Sequence, residues 1–318
     1  MSSIDGDILD WSGGVSIPQA PAGYKSGFIG IIGRPNVGKS TLMNQLVGQK
    51  IAITSPVAQT TRNRLRGILT TPAAQLIFVD TPGIHKPHHR LGEVLVQNAQ
   101  IAIDSVDVLL FVVDGSQEAG GGDRYIVDLL SRTKTPVVLG LNKIDQQPPD
   151  LQKLDSSYTQ LASPHQWQMV KFSALAKDGL AELQELLTEL LEPGPYYYPP
   201  DLVTDQPERF IMGELIREQI LLLTHEEVPH SVAIAIEKVE EAPTITRVFA
   251  SIYIERPSQK GILIGKGGSM LKAIGSAARE QIQKLIAGKV YLELFVKVQP
   301  KWRQSRLHLA ELGYRVEK

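Results

Sequence analysis

The sequence predicts an α/β domain built on a mostly parallel sheet, followed by a smaller α+β module. Three observations carry that expectation. Short apolar runs alternate with helical patterns from residue 28 to residue 191. A glycine-rich loop ending in Gly-Lys-Ser follows the first run directly. The alternation then stops at Glu192-Pro-Gly-Pro-Tyr-Tyr-Tyr-Pro-Pro200, where four prolines in nine residues forbid both a helix and a central strand.

Residues 1–24 lack sustained periodicity and hold Gly13, Gly14, Pro18 and Pro21, which predicts a mobile tail. The first domain is expected over 25–192, with strands at Phe28–Ile32, Gln75–Val79, Val108–Val113, Val137–Leu141 and Met169–Phe172. Helical patterns lie between them at Thr41–Leu46, Leu91–Ile103, Asp123–Leu130 and Leu180–Leu191. Apolar runs of this length separated by helices are the pattern of a sheet covered on both faces. Residues 193–207 form the linker. The second domain, 208–318, reads α-β-β-α-β-α: a helix at Arg209–Leu223, strands at Ser231–Glu237 and Val248–Ile254, an apolar run at Ile262–Ile264, a helix from Ser269 to Ile286, a strand at Val290–Val298 and a last helix near Trp302–Leu312.

At 318 residues, 42% apolar and 21% charged, the chain has the composition of an ordinary globular protein of about two domains. The absence of cysteine excludes a disulfide framework, thiolate metal sites and a cysteine nucleophile. No apolar run reaches the ~18 residues of a membrane span. Asp5, Asp7 and Asp10 stand where a leader peptide carries basic residues, so a soluble cytosolic protein is expected. The net charge of −1 conceals an asymmetry: from Arg256 to Arg306 there are eleven Lys or Arg against two acids, a segment of +9. Such an excess is the footprint of a polyanion site.

Gly33, Arg34, Pro35, Asn36, Val37, Gly38, Lys39 and Ser40 read G-x-x-x-x-G-K-S between a strand and a helix, the phosphate-binding P-loop. Its glycines let backbone N–H groups wrap phosphate oxygens beside a helix N-terminus. Lys39 is expected at the β- and γ-phosphates and the Ser40 hydroxyl at Mg²⁺. Asp80, Thr81, Pro82 and Gly83 follow a strand end, where Asp80 can hold Mg²⁺ through water and the Gly83 N–H can approach the γ-phosphate. Asn142, Lys143, Ile144 and Asp145 close another strand. Guanine offers two adjacent N–H donors that the Asp145 carboxylate can accept together. Adenine offers neither, so this site selects GTP over ATP. Asn142 can tie the base loop to the P-loop, the Lys143 stem can lie along the base, and a backbone N–H of Ser173, Ala174 and Leu175 can meet guanine O6. A threonine hydroxyl of Gln59-Thr60-Thr61-Arg62 can complete Mg²⁺ coordination when the γ-phosphate is present, which makes that loop a switch. Ile84 stands where related enzymes often place a water-positioning glutamine. His85, His88 and His89 follow it and are read as a solvated loop, because Pro87 breaks the helix a histidine pair would need.

In the basic segment, Gly265, Lys266, Gly267 and Gly268 form a G-x-x-G loop before a helix, the element with which KH domains clamp a backbone of about four nucleotides. Lys272 and Arg279 of the following helix are expected at the RNA; of its apolar positions 270, 271, 274, 278, 282, 285 and 286, most are expected in the core. Tyr196–Tyr198 are expected to pack on the linker rather than on bases.

The set of Gly33–Ser40, Gln59–Arg62, Asp80–Gly83, Asn142–Asp145 and Ser173–Leu175, joined to Ile264-Gly-Lys-Gly-Gly268, resembles the Era family of bacterial ribosome-assembly GTPases over about residues 25–316. The resemblance implies a Ras-like G domain, an α/β P-loop NTPase, with a C-terminal type II KH domain. It implies a 3′ region of small-subunit ribosomal RNA and the small ribosomal subunit as partners, GTP/GDP and Mg²⁺ in the site, and a monomer off the ribosome. It also implies a cytoplasmic bacterial protein with peripheral contact at the inner face of the plasma membrane. It selects Thr61 over Thr60 as the Mg²⁺ ligand, beside Lys39 and Gly83 in catalysis. By the same resemblance Asn36 helps hold K⁺, whose charge can replace an arginine finger. Two readings from other classes stay open on the residues. One is an RNA-binding scaffold that holds nucleotide without turnover, for which Ile84 argues. The other is a P-loop kinase of a small molecule, against which Asp145 argues.

Overall fold

A computed structural model of the protein describes residues 17–314, apart from 58–59, 61–64, 82, 84–89, 149–151, 226–227 and 287 and the side chains of 90, 92, 95, 96, 98, 99 and 102. The tail at 1–16, Thr61, Pro82, Ile84 and the three histidines at 85, 88 and 89 therefore lie outside the described residues.

The first unit runs β1 (Lys25–Ile32), α1 (Lys39–Val47), β2 (Leu65–Thr70), β3 (Ala74–Asp80), α2 (Arg90–Asp104), β4 (Val108–Asp114), α3 (Gly121–Leu130), β5 (Val137–Asn142), α4 (Gln152–Ala162), β6 (Gln168–Lys171) and α5 (Leu180–Leu190). Among the described residues these six strands form one sheet in the order β2-β3-β1-β4-β5-β6. Every pairing is parallel except β2 with β3. β3 and β4 are buried along their whole length, as expected for strands covered on both faces. β1 lies between β3 and β4, so its C-terminal end opens at the point where the strand order reverses, the usual place for a ligand in such a sheet.

Two elements depart from the sequence reading. β2 was not expected; it joins β3 through a turn at Thr71, whose N–H donates to the Ala74 carbonyl at 2.8 Å, and Gly67 lets it lie against α1. A Cβ at Gly67 would come within 2.9 Å of both Met43 and Val47. α4 was also missed, because its core contacts are few, with Leu154, Tyr158 and Ala162 buried and Leu161 partly buried, and the rest of its surface is polar.

The second unit runs α6 (Glu208–Leu223), α7 (Val228–Ser231), β7 (Ala233–Ala242), β8 (Ile245–Ile254), α8 (Pro257–Ile264), α9 (Ser269–Ile282), β9 (Lys289–Val298) and α10 (Arg306–Glu311). Its sheet has the order β7-β8-β9, antiparallel then parallel. The apolar run Ile262–Ile264 belongs to α8, with Pro257 in the first turn where its missing N–H costs nothing. The expected terminal helix is divided: a 3₁₀ turn at Trp302–Gln304 buries Trp302, and α10 follows with Ser305 as N-cap. The connecting segment lies on the first sheet. Val203 accepts from the Ile68 N–H at 2.9 Å, covering the edge of β2, and buried Gln75 bonds Tyr197 and Tyr198. Tyr196 packs on Tyr24 and Tyr197 on Phe28. One apolar cluster is continuous across both units through α6, which contributes Ile211, Leu215, Ile216 and Ile220.

Candidate functional site

The loop after β1 is enclosed. Lys39 is 7% exposed, and its Nζ donates to the carbonyls of Gly33 at 3.0 Å and Arg34 at 2.8 Å. Burial lowers its pKa to about 8, a pull the Asp80 carboxylate opposes and the Arg34 charge reinforces. A buried cation that bonds only backbone carbonyls suits an incoming anion, which would restore its charge. The Ser40 hydroxyl donates to Asp80 Oδ2 at 2.9 Å, so the two predicted Mg²⁺ residues meet across the site. Asp80 closes β3, and Thr81 bonds the Ile31 carbonyl of β1 at 2.8 Å, fixing the start of the Asp80–Gly83 loop. Gly83 lies against Pro35: a Cβ there would stand 2.8 Å from the Pro35 nitrogen. Val37 is buried in the sheet–helix core and Asn36 has φ 64, with its Nδ2 donating to Pro56 of the switch segment at 2.8 Å.

Arg34 reaches α3, where its Nε bonds Asp123 Oδ1 at 2.7 Å. Asp123 is fully buried and also caps α3 by accepting from the Gly120 N–H. Gly122 makes the approach possible, since a Cβ there would lie 2.6 Å from Arg34 Cδ. This anchor was missed in sequence; nothing local to Asp123 marks it.

The strand ends of β5 and β6 supply the cavity at which the base is expected. Asn142 is 2% exposed, donates to the Val37 carbonyl at 2.8 Å and accepts from the Ala174 N–H at 2.9 Å. It thus joins three of the predicted loops. Gly38 is essential to that contact: φ is +98, and a Cβ would fall 2.2 Å from Asn142 Nδ2. Ser173 Oγ donates to Asp145 Oδ1 at 2.6 Å and accepts from the Ala176 N–H. With the Ala174 and Ala176 amides engaged, the amide of Leu175 has no protein acceptor among the described residues. Lys143 and Asp145 line a cavity of about 350 Å³ with Asn36, Gly38, Thr41, Ala174 and Leu175. Ile144 begins the 3₁₀ turn that presents Asp145.

Sequence reading also missed Asp114 at the end of β4. Its Oδ2 accepts from Lys143 Nζ at 2.7 Å and its Oδ1 from the Ser116 N–H and hydroxyl. Burial pushes the Asp114 carboxyl up, but Lys143 and the Ser116 donors outweigh it and hold it below the usual carboxylate range. Lys143 itself has φ +68, and Asp114 holds its ammonium in that conformation.

In the second unit, Gly265, Lys266, Gly267 and Gly268 join α8 to α9, with φ of +71, +60 and +82 at the three glycines. Lys272 and Arg279 are exposed on α9. They border a groove of about 540 Å³ between α9 and β9, whose wall includes Leu271, Gly275, Leu292 and Leu294. Leu271 is partly buried: it packs against the core on one side and lines the groove on the other, where Gly275 lies opposite Leu294. Not all of the +9 is free for a ligand: Arg303 is paired with Glu255 and Lys297 with Glu237. Among the described residues, no group of three metal-ligating side chains occurs, and no helix is long and apolar enough to cross a membrane.

Residues 28–143 match the family model described as 50S ribosome-binding GTPase, and residues 227–303 match that of the KH domain. The chain is 80% identical over 317 residues to a GTPase Era of Nostoc sp. (strain PCC 7120), covering 100% of this chain and 98% of the relative. It is 74% identical over 302 residues to a GTPase Era of Rippkaea orientalis, covering 95% and 96%. A crystal structure of Era with MgGDPNP and nucleotides 1506–1542 of 16S ribosomal RNA superposes with a TM-score of 0.88 at 36% identity, covering 92% of this chain and 99% of that one. An Aquifex aeolicus Era variant bound to GDP·AlF4⁻ gives 0.87, again at 36% identity, over 91% and 99%. Near-complete identity in length with such relatives, both modules in order, and a guanine-type base loop locked onto a P-loop leave one conclusion: the chain belongs to the Era family of GTPases.

Proposed function

We propose that this protein binds and hydrolyses GTP, and uses the nucleotide to switch a KH clamp on the 3′ region of small-subunit ribosomal RNA during assembly of the small subunit. The observation that carries the reading is the pair of formed sites. The related structure that superposes at 0.88 held both a guanine nucleotide and 16S RNA, and the residues that could hold each are here in a pocket and a groove.

In this reading Lys39 and the P-loop amides bind the phosphates, and Gly83 approaches the γ-phosphate. Asp145 takes the guanine N1 and N2 donors, and the free Leu175 amide meets O6. Ser40, Asp80 through water, and Thr61 hold Mg²⁺, whose charge neutralises the phosphates. The Ser40–Asp80 contact fits that role, since both oxygens already converge. Asn36 spends its amide nitrogen on Pro56, which leaves its oxygen for K⁺. Since Ile84 cannot orient water, basal turnover is slow, on the order of 10⁻⁴–10⁻² s⁻¹ by analogy with unassisted relatives, and faster in K⁺ than in Na⁺. Gly265–Gly268, Lys272 and Arg279 bind the RNA backbone. The protein acts in the cytoplasm, monomeric off the ribosome, with any membrane contact peripheral.

The test is turnover of GTP by the full chain, in K⁺ and in Na⁺, with binding of a single-stranded 3′ segment of 16S RNA measured in parallel. Slow turnover that K⁺ accelerates, and RNA binding that survives Lys39→Ala while turnover does not, support the reading. No turnover in either salt returns the protein to the scaffold reading.

A further inference from the structure

The segment between α1 and β2, which ends in the switch threonines, is gripped from the RNA-binding unit. Glu218 of α6 is 1% exposed; it accepts from the Thr54 N–H at 2.8 Å and from Lys50 Nζ at 2.6 Å. Its neighbour Arg217 is fully buried, donates to the Thr60 carbonyl and holds Glu214 through Nε at 2.8 Å and Nη2 at 2.6 Å. Burial opposes the Arg217 charge, but Glu214, with smaller contributions from Tyr314 and Glu218, outweighs it and raises the guanidinium pKa. On the nucleotide side the same segment is tied to the P-loop by the Asn36–Pro56 bond. α6 also packs on α9, which begins at Ser269, immediately after the G-x-x-G loop.

We propose that Arg217 and Glu218 are positioning residues that couple the nucleotide site to the RNA clamp, by setting the backbone of the switch segment from α6. The inference rests on Thr61 being the residue that meets Mg²⁺ in the GTP state. The Thr60 carbonyl belongs to the planar peptide unit that leads into Thr61, so turning Thr61 toward the metal turns the group Arg217 holds. Thr54 and Thr60 are thus both held by α6, the second directly before Thr61 in the chain. A guanidinium fixed by a carboxylate transmits such a turn to the helix, because Arg217 is fully buried and cannot re-solvate locally. Linkage then requires the converse: RNA that displaces α9 and α6 alters nucleotide affinity by the same factor.

The experiment measures affinity of the full chain for a single-stranded 3′ segment of 16S RNA, once with GDP and once with a non-hydrolysable GTP analogue, both with Mg²⁺. Arg217→Lys keeps the charge and loses the fork; Glu218→Gln keeps the shape and the Thr54 bond and loses the charge. Thermal melting of each variant identifies any that fails to fold, and the other then carries the test. In the parent the two affinities should differ by a factor within the usual ~5–150 of coupled sites. In the variants the factor should fall to within about twofold of one, with RNA affinity in GDP retained. A merely structural role would lower the melting temperature and leave the factor alone; both variants keeping the parent factor overturns the proposal. Thr61→Ala separates the two claims. If it keeps the parent factor while the α6 variants lose it, the coupling stands and the Thr61 assignment falls. A parent factor of one overturns both.

Discussion

Two glycine loops, each followed by a helix, do opposite work. In the P-loop the glycines are demanded by neighbours: a Cβ would meet the Val112 carbonyl at 2.3 Å at Gly33 and the Asn142 amide at 2.2 Å at Gly38. In the loop before α9, Gly267 and Gly268 have nothing within 4 Å of a Cβ, and only their positive φ calls for glycine. The first loop is walled in by β4 and β5 at those contacts and buries its lysine, and in the proposed reading the site it belongs to discriminates by pairing. The second stands in solvent and keeps Lys266 unburied, and in the proposed reading it holds its ligand by charge. An enclosed site can reject a wrong ligand because each unpaired group is costly there. An open one accepts a flexible polymer at many phosphates and is correspondingly sensitive to salt.

The sharpest way to break this contrast is one methyl group in each loop. Gly38→Ala combines a left-handed φ of +98 with a contact on buried Asn142, so guanine-nucleotide binding should be lost and the melting temperature should drop. Gly267→Ala meets no protein neighbour and bears only the conformational cost of φ +60, roughly 1–2 kcal/mol, and should leave RNA affinity within about threefold of the parent. Calorimetry of nucleotide and RNA binding reads both. Equal losses in the two variants would mean that the loops are built alike.

Next in size is the base. Asp145→Asn removes a carboxylate that takes two charge-assisted hydrogen bonds at ~1.5–3 kcal/mol each, so GTP affinity should fall by about 10²–10⁴-fold. Xanthosine triphosphate, with an oxygen where guanine has its amino group, should then bind better than GTP. An unchanged preference would show that Asp145, though held by Ser173, does not read the base. In the open loop, by contrast, replacing Lys266 and Gly267 together by Asp should reduce RNA affinity by at least about tenfold, ~1.4 kcal/mol, with GTP binding intact. Parent affinity for that RNA should also fall steeply between low and physiological salt; a flat salt response in a gel-shift titration would sink the electrostatic account.

The same contrast explains what could be read from the sequence. Local devices were legible: the five parallel strands show as apolar runs, and the loops that follow β1, β3, β5 and β6 show as motifs with fixed spacing. Contacts between distant segments were not. Asp114, Asp123, Arg217 and Glu218 act on residues 29, 89, 157 and 164 positions away, and no periodicity marks a carboxylate as the partner of a remote lysine or arginine. β2 is six residues with a glycine in its middle, too weak for a strand signal until α1 and β3 cover it. The run Ile262–Ile264 reads the same as strand or helix over so short a span, and Pro257 hides a helix start as a break. Leu271 shows the limit most clearly. Its helical spacing matches the core positions 274, 278 and 282, and it does pack on that core, yet the groove beside Gly275 leaves it only partly buried.

The smallest expected effect sharpens the idea that the P-loop is enclosed, because it depends on burial alone. Burial lowers the Lys39 pKa from 10.5 to about 8 when no phosphate is present. The folded protein therefore holds fewer protons than the unfolded chain between pH 8 and 10.5. Stability from this group is present above that window and lost as pH falls through it. Bound phosphate supplies the missing counter-charge and raises the pKa again. Below about pH 7 Lys39 is protonated before and after binding and no proton moves. At pH 8 about half the free protein must take one up, which weakens affinity by roughly twofold, and at pH 9 nearly all must, roughly tenfold. Titration calorimetry of GDP binding in two buffers of different ionisation enthalpy counts those protons directly. Uptake should rise from near zero at pH 7 toward about one at pH 9 in the parent, and should be absent in Lys39→Arg, whose guanidinium stays charged throughout. Identical proton counts at the two pH values would show that Lys39 is already solvated enough to keep its ordinary pKa, and that the loop is as open as the one before α9.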